Sequence, residues 1–285
     1  MIKLYTLAPG LQEIVLSDMS SLDAISRQLP QGLYSTFRTY AGREKVLDLQ
    51  LHLRRLYNPL AGLTVTPCVS ALELRTALRE LLKDFAPGFV ASAQPSGEAR
   101  VRISLSTTKS PGTLFFLIER LKMLHETIYQ RGVRVVSSHV ERDNPRLKST
   151  SFIEESKEER KTILKNGIFE GLMVRNGCIL EGLTSNFYAV RAGKIITARN
   201  GILLGVTRRT VLRLARLNGI EIEYRPLPID ELPSIDEAFI TSSSRGVVPV
   251  VEIDGQSIGT GQVGDVARLL RRAYDEHVLR KAEKI

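Results

Sequence analysis

The chain has 285 residues, of which 43% are hydrophobic and 25% are charged, and its formal net charge is +9. This length predicts two domains or one large composite domain, and the composition is typical of a globular protein. No apolar run approaches the roughly 20 residues that cross a bilayer, which argues against a membrane-spanning protein.

The N-terminal residues lack both an uninterrupted apolar core and a small-residue cleavage site, so they do not resemble a secretory signal. The two cysteines, Cys68 and Cys178, match neither a CxxC pair nor a disulfide framework. The four histidines are scattered and lack zinc-ligand spacing. We therefore expect a cytoplasmic protein without a bound metal.

The first third of the chain mixes strand-like and helix-like patterns. The strand GLYSTFRTY is followed by the turn AGREKV, which leads into a second strand. A first helix is predicted in LQLHLRRLYNPLAGL, because one face of it carries Leu49, Leu53, Leu56 and Leu60. A second helix, SALELRTALRELLKDF, is predicted to begin after the N-cap candidate Ser70 and to end near Pro87-Gly88.

Strands dominate the middle of the chain, after the predicted loop ASAQPSGEA. The stretch ARVRISLS alternates, which predicts a strand with Arg100 and Arg102 on its polar face. KSPG then interrupts the chain, and the strands TLFFLIERL and GVRVVSSHV follow. We place a domain junction around residues 120–132.

The second half begins with the strand pair MVRNGCILEG, whose Asn176-Gly177 dipeptide is typical of a hairpin turn. The strands SNFYAV and KIITA flank the turn RAGK, and the helix TRRTVLRLARLNG follows them. Three more strands, IEIEYRPL, EAFITSS and VPVVEIDG, precede a last helix from about Val263 to Arg280. Helices and strands mix without strict βαβ alternation, so an α+β or irregular α/β architecture is predicted.

Two glycine-containing stretches are candidates for anion binding. GTGQVG satisfies GxGxxG, but only 21 residues follow it, which leaves no room for the rest of a dinucleotide site. In GILLGVTRRTV, Gly205 allows a tight turn and Thr207 is a plausible N-cap. The free N–H groups and partial positive charge of such a helix N-terminus suit a phosphate, although a plain capped helix gives the same pattern.

Three polar stretches are the other candidates for chemistry. EGLTSN puts Glu181 between two strands, where a buried carboxylate needs a proton or a cation. ITSSSRG ends a strand in hydroxyl groups that either bind an anion or form a polar turn. RLKSTSF places Lys148 before small hydroxyl residues, where it is either a solvated lysine or a reactive amine.

These stretches, in this order, resemble the class IV aminotransferases, the fold-type IV pyridoxal-phosphate family. That family includes branched-chain amino-acid aminotransferase, D-amino-acid aminotransferase and aminodeoxychorismate lyase. The resemblance extends from GLYSTFRTY and HLRRL through LKSTSF to LEGLTSNFY, LLGVTR, EAFITSSS and VPVVEIDG. It implies a two-domain α+β fold, with a small N-terminal α/β domain at 1–121, a linker at 122–131 and a larger pseudo-barrel domain at 132–285 that binds the cofactor.

The resemblance also implies how pyridoxal 5'-phosphate is held. Lys148 is expected to form the internal aldimine with the cofactor and then to move the proton between Cα and C4′ of the substrate adduct. Glu181 is expected to face the pyridine nitrogen and to keep it protonated, so that the ring accepts electrons. The other implied contacts are Arg55, Val206, Thr207 and Ser243 at the phosphate and Leu203 at the ring face.

Substrate contacts are implied for a further group of residues. Its members are Tyr34, Arg38, Arg102, Ser244 and Arg245. The sequence departs from the branched-chain pattern in two places, because Ile153 and Arg100 stand where tyrosines are expected. The expected amino-acid substrate is therefore either branched-chain-like or a D-amino acid.

The expected activity is transfer of an amino group between an α-amino acid and a 2-oxo acid such as 2-oxoglutarate, by a homodimer that binds neither nucleic acid nor membrane. Aminodeoxychorismate lyase, which eliminates pyruvate with the same lysine, is the alternative within the family. The net charge also keeps open a non-catalytic protein that binds anions or nucleic acid.

Overall fold

The computed structural model describes residues 2–7, 10–85 and 97–285, and its chain divides into two compact units. The N-terminal unit contains Met1–Lys122, Leu147–Glu154 and Arg280–Ile285. The C-terminal unit contains Met123–Arg146 and Glu155–Leu279. The predicted division differs from these units because the segment that carries Lys148 and the last residues of the chain both pack in the N-terminal unit.

The N-terminal unit is built on an antiparallel sheet of seven strands. In chain order the strands are β1 (Ile2–Leu7), β2 (Leu11–Ile14), β3 (Gly32–Tyr40), β4 (Lys45–Val46), β5 (Ala99–Ser106), β6 (Leu114–Arg120) and β17 (Glu283–Lys284). Their order across the sheet is β17-β4-β3-β5-β6-β1-β2. The last strand of the chain therefore completes the sheet that the first strands begin.

Helices pack on both faces of this sheet. They are α1 (Leu22–Gln28), α2 (Leu49–Tyr57), α3 (Leu60–Leu63) and α4 (Ala71–Asp84), while α6 (Ser151–Glu155) follows Thr150, which is hydrogen-bonded to β3. Side chains alternate across a strand, so Phe116 and Phe115 of β6 point to opposite faces. Phe116 joins a large cluster with leucines of α2 and α4, whereas Phe115 joins a small one with Leu22 and Ile25 of α1.

The second helix predicted in this unit is confirmed as α4, whose predicted N-cap Ser70 forms a capping box, whereas the first predicted helix is divided at Asn58-Pro59 into α2 and α3. The Ser70 hydroxyl accepts a hydrogen bond from the Glu73 N–H, and the Glu73 carboxylate accepts one from the Ser70 N–H. The predicted helix end at Pro87-Gly88 and most of the loop that follows it lie outside the described residues. The prediction missed α1, because seven residues are too few for a periodic pattern to stand out.

The C-terminal unit is built on a mixed sheet of ten strands. In chain order they are β7 (Val133–Ser138), β8 (Glu170–Arg175), β9 (Cys178–Gly182), β10 (Asn186–Arg191), β11 (Lys194–Ile196), β12 (Ile222–Glu223), β13 (Leu227–Pro228), β14 (Glu237–Ser242), β15 (Gly246–Ile253) and β16 (Gln256–Ser257). Six of them follow the order β10-β14-β15-β7-β8-β9, and β9 pairs back to β10 through Glu181 and Asn186. This closure is the predicted pseudo-barrel.

The helices of this unit are α5 (Glu126–Arg131), α7 (Lys157–Lys165), α8 (Val206–Leu217) and α9 (Asp265–Lys281), with a short 3-10 helix at Ile229–Ser234. The segment predicted as a linker at 122–131 thus contains a helix, which His125 begins by accepting a hydrogen bond from the Thr127 N–H. The predicted strand IEIEYRPL is two short strands, because β12 pairs with β11 and β13 pairs with β9.

The structure confirms an α+β architecture. Within residues 2–7, 10–85 and 97–285, it contains no helix long and apolar enough to span a membrane.

Candidate active site

Lys148 lies beside the first residues of β3, in the N-terminal unit. Its carbonyl accepts a hydrogen bond of 2.9 Å from the Tyr34 N–H, and Ser149 pairs with Leu33. Two residues later, Thr150 exchanges hydrogen bonds of 2.8 and 2.9 Å with Gly32. The backbone around Lys148 thus extends the sheet, and its side chain is half-buried.

The Lys148 amine lies over the ring of Tyr34, with 4.7 Å between Nζ and the ring centroid. The guanidinium of Arg102 lies 4.8 Å from the same centroid. A cation over an aromatic face is attracted by the ring quadrupole, so the Tyr34 ring stabilises both cationic groups. The structure therefore brings together three of the predicted site residues.

Arg102 makes most of its hydrogen bonds to α1. Its two Nη atoms donate to the Leu22 carbonyl, to the Ser26 hydroxyl and, at 2.7 Å, to the Asp23 carboxylate. Its Nε donates to Thr36 at 3.2 Å. The side chain is only 7% exposed, so α1 covers the polar strand face at Arg102, whereas Arg100 pairs with Glu119 on β6 and is 36% exposed.

His52 is a buried residue near this site that the sequence analysis quoted but did not select. Its Nδ1 is 2.8 Å from the Ser35 hydroxyl. Burial, with the positive charges of Arg55 and Lys148, lowers the pKa of His52 well below its ordinary value. The histidine is therefore neutral. Arg55 and Lys148, which help to lower its pKa, are both residues predicted to hold the cofactor.

Arg38 lies on β3 four residues after Tyr34, which puts the two side chains on the same face of the strand. Its guanidinium is 4.7 Å from the Tyr40 ring centroid, and its Nε donates a long hydrogen bond of 3.5 Å to the Thr39 carbonyl. The side chain thus follows its own strand, away from the Tyr34 position.

Glu181, in the C-terminal unit, is a buried carboxylate with several donors around it. It is 2% exposed. The Leu203 N–H donates to both of its oxygens at 3.1 Å, and the Asn186 amide donates to Oε2 at 3.1 Å. Arg142 Nε lies 3.5 Å from Oε1.

Arg142 and Asn186 were missed by the sequence analysis. Closure of the sheet pairs Glu181 with Asn186. Arg142 lies in the segment that follows β7. Asn186 was quoted in EGLTSN, but the sequence alone did not give its partner.

The N-terminus of α8 is shaped by the residue that caps it. The N-cap is Gly205, and Thr207 is the second helical residue, so the N-cap prediction for Thr207 is wrong. A Cβ atom at Gly205 would lie 2.2 Å from the Asn186 Oδ1, which explains a glycine at this position. The N–H groups of Val206 and Thr207 belong to the first turn, where helix donors have no intrahelical acceptor.

Ser243 joins this helix end. The Thr207 hydroxyl donates to the Ser243 hydroxyl at 3.2 Å. Two stretches predicted to bind the phosphate, GVT and SSS, therefore meet in the C-terminal unit.

Arg245 is engaged in the same turn, between β14 and β15. Its Nη2 donates to Glu170 at 2.9 Å and to Thr184 at 2.7 Å, and its Nε donates to Ser242 at 3.0 Å. The other predicted residue of the turn, Ser244, is half-buried. The Glu170 carboxylate is buried, so its pairing with Arg245 compensates the cost of burying that charge.

Comparison with known proteins identifies the family. The family model for class IV amino-transferases matches residues 32–253, which span every candidate residue above. The chain belongs to the class IV aminotransferases. Members of this family are pyridoxal-phosphate enzymes, so the chain is a pyridoxal-phosphate-dependent transaminase, and a non-catalytic anion-binding role is not favoured.

Named relatives of this aminotransferase have several activities. It is 29% identical over 266 residues to the D-alanine aminotransferase of Bacillus licheniformis, a match that covers 90% of this chain and 91% of that one. It is 28% identical to the aminodeoxychorismate lyase of Bacillus subtilis, with coverage of 87% and 85%. It is 32% identical over 165 residues to a branched-chain-amino-acid aminotransferase of Pseudomonas aeruginosa, with coverage of 55% and 54%.

Solved structures confirm the predicted fold type. The branched-chain aminotransferase of the archaeon Thermoproteus uzoniensis, solved with norvaline, superposes with a TM-score of 0.77 at 24% identity and covers 98% of this chain and 95% of that one. An aminotransferase from Brucella abortus bound to PLP gives a TM-score of 0.73 at 22% identity, with coverage of 96% and 98%. This transaminase therefore has the fold-type IV architecture.

The residues of this chain fit the cofactor chemically. Glu181 is a buried carboxylate whose oxygens accept hydrogen bonds, and a protonated ring nitrogen is a donor of that kind. The first turn of α8, with Thr207 and Ser243 beside it, offers N–H and hydroxyl groups to a phosphate. Lys148 carries a primary amine, the kind of group that condenses with an aldehyde.

Proposed function

We propose that this enzyme moves an amino group between an α-amino acid and a 2-oxo acid such as 2-oxoglutarate, with Lys148 as its reactive amine. The observation that carries the proposal is the fixed position of Lys148, whose backbone is hydrogen-bonded to Tyr34 and whose Nζ lies 4.7 Å from the Tyr34 ring centroid. These backbone hydrogen bonds limit the region that the amine can reach, which favours the orientation that covalent catalysis requires.

Pyridoxal phosphate, when bound, supplies an aldehyde carbon and an electron-accepting ring. Lys148 would hold the cofactor through its amine and would carry the proton between Cα and C4′ of the substrate adduct. Glu181 would accept the hydrogen of the ring nitrogen, and Leu203 would lie at the ring face. The phosphate would be held by Arg55, by the N–H groups of Val206 and Thr207, and by Ser243.

The substrate is proposed to be a branched-chain-like amino acid or a D-amino acid, because relatives with both activities match the chain. Tyr34, Arg38, Arg102, Ser244 and Arg245 are the proposed residues around it. Among these, Arg102 and Arg245 already carry carboxylate partners, Asp23 and Glu170. A substrate carboxylate that binds to either arginine therefore competes with a carboxylate of the protein.

The first test is spectroscopic and compares the wild type with Lys148→Ala. The wild type with added pyridoxal phosphate is expected to absorb at about 400–430 nm and to lose this band with one class of amino acid, L or D, as the amine form of the cofactor accumulates. Lys148→Ala loses the covalent linkage and with it the band. Lys165→Ala, at an exposed position on α7, is the matched control and keeps it. An unchanged band in Lys148→Ala rejects Lys148 as the reactive amine.

Aminodeoxychorismate lyase is the second candidate, and the match to the Bacillus subtilis lyase favours it. The two activities differ in product: the lyase releases pyruvate from aminodeoxychorismate without any 2-oxo acid, whereas the transaminase requires both partners. Pyruvate release in the absence of an acceptor would establish the lyase activity.

We further propose that the enzyme is a cytoplasmic homodimer that binds neither nucleic acid nor membrane. Light scattering of the purified protein measures the mass directly: twice the mass of 31.8 kDa is expected, and a monomer mass would reject the dimer.

A further inference from the structure

The ion pair between Arg142 and Glu181 is buried on both sides. The Arg142 side chain is 7% exposed and the Glu181 side chain 2% exposed, and Arg142 Nε lies 3.5 Å from Glu181 Oε1. The pairs that Arg102 and Arg245 form with carboxylates each leave one side chain 22% exposed. The guanidinium of Arg142 brings a full positive charge beside this buried carboxylate.

The neutral donors around Glu181 fix its orientation. The Leu203 N–H is 3.1 Å from each carboxylate oxygen, and the Asn186 amide donates both to Oε2 and to the Leu203 carbonyl at 2.8 Å. Hydrogen bonds from neutral groups only partly replace the hydration that a buried carboxylate has lost. A full positive charge close to the carboxylate provides the remaining stabilisation of its ionised form. Arg142 places such a charge beside Glu181.

We propose that Arg142 is a positioning residue that keeps Glu181 ionised, so that the carboxylate is ready for the ring nitrogen of the cofactor. The inference rests on the proposed role of Glu181. With Arg142 present, Glu181 stays a charged acceptor both before and after the cofactor binds. Without it, the buried carboxylate takes up a proton and presents an O–H group instead of an acceptor.

The surroundings of Arg142 allow a substitution without overpacking. A small cavity of about 20 Å³ borders Arg142 and is also lined by Glu141, Met173, Arg175 and Gly201. That volume is enough for about one water molecule. A shorter polar side chain at position 142 therefore leaves space that water fills, and we expect Arg142→Gln to fold.

The decisive measurement is the melting temperature of the cofactor-free protein between pH 5 and pH 8. In Arg142→Gln, folding favours the protonated form of Glu181, so stability is present at low pH and is lost as pH rises. We expect the melting temperature of Arg142→Gln, relative to the wild type, to fall steadily over this range. Arg142→Lys keeps a positive charge and should follow the wild-type profile.

Arg175→Gln is the matched control, since Arg175 borders the same cavity and is exposed. Its profile should be that of the wild type. Parallel profiles for the wild type, Arg142→Gln and Arg175→Gln would overturn the proposal. If Arg142→Gln does not fold, the double variant Arg142→Gln with Glu181→Gln decides: recovery of folding supports the charge pairing, and failure to recover contradicts it.

The loaded enzyme provides a second readout. Removing one partner of a buried ion pair is a large perturbation, so Arg142→Gln should lower kcat by about tenfold or more, with a smaller change in KM. Arg142→Lys should recover part of the loss. Because the pH profile uses protein without cofactor, it tests Arg142 even if the wild type fails to bind pyridoxal phosphate, a result that would reject the proposed function instead.

Discussion

At the scale of single residues, His52 is the group whose titration the structure predicts most directly. Its environment is apolar and carries two nearby cations, and both lower its pKa. The folded state holds this histidine neutral while the unfolded chain protonates it near pH 6.5. Wild-type stability therefore contains a contribution that is full above the unfolded pKa and is lost as pH falls through the interval below it.

His52→Asn should flatten this part of the pH dependence, because an amide does not titrate and can still contact Ser35. The measurement is the melting temperature between pH 7 and pH 5, with His139→Gln at an exposed position as the control. We expect a smaller decline in His52→Asn than in the wild type or the control. An equal decline in all three proteins would assign the acid sensitivity to other groups.

Some residues of the candidate site could be selected from the sequence, and others could not. Lys148, Glu181 and the SSS turn were recognisable because each belongs to a short motif in a characteristic order. Arg142 was not, because its partner lies 39 positions later in the chain (181 − 142), and only the closed sheet brings the two together. Long-range pairs between charged residues leave no local pattern in a single sequence.

At the scale of elements, one side chain makes several of the polar contacts that anchor α1, in addition to its hydrophobic packing. Arg102 of β5 reaches four groups, three of them on α1, and stacks on Tyr34. A seven-residue helix is too short to be stable alone, so its place on the sheet depends on such tertiary contacts.

Arg102→Met should therefore lower the free energy of unfolding by about 2–4 kcal/mol, since it leaves Asp23 and the polar groups of α1 without their partner. Urea denaturation measures this loss, and Arg54→Met, exposed on α2, is the control. A variant of normal stability that loses activity only towards dicarboxylic substrates would instead support direct substrate binding by Arg102.

The predicted helices and strands agree best with the structure where their periodic sequence patterns are long. The longer strands β3, β5 to β10, β14 and β15 and the helices α2, α4, α8 and α9 appear where the sequence predicted them. The strands β1, β2, β16 and β17 were not predicted. The prediction failed for α1, α5 and α7, which have seven, six and nine residues. Such helices form because neighbouring elements cover one of their faces, and this information is not local.

At the scale of the whole molecule, the N-terminal unit is completed by the last residues of the chain. Ile285 is 5% exposed and belongs to the large core cluster of that unit. The pairs Glu283–Val46 and Lys284–Lys45 add β17 to the sheet, and Arg75 contacts Glu283. The unit therefore cannot be represented by residues 1–122 alone.

Ile285→Ala should cost about 2–4 kcal/mol of unfolding free energy, because it removes a buried side chain from a packed core. Leu279→Ala is the control, since Leu279 is 81% exposed and its truncation should change stability by less than about 0.5 kcal/mol. Both are measured by chemical denaturation. Equal effects from the two substitutions would contradict the observed packing of Ile285.

The pairing of Gly32 with Thr150 joins positions 118 residues apart, and the end strand β17 joins positions still farther apart. A ribosome that has just made β3 has not yet made the segment that holds Lys148, nor the residues that close the sheet edge. The segment that carries Lys148 therefore joins β3 only after residues up to Thr150 have been synthesised, and the sheet edge is closed only after β17 has been made. Contacts of such high sequence separation slow folding. During synthesis, the exposed edge of β3 is thus the surface that most needs protection from aggregation.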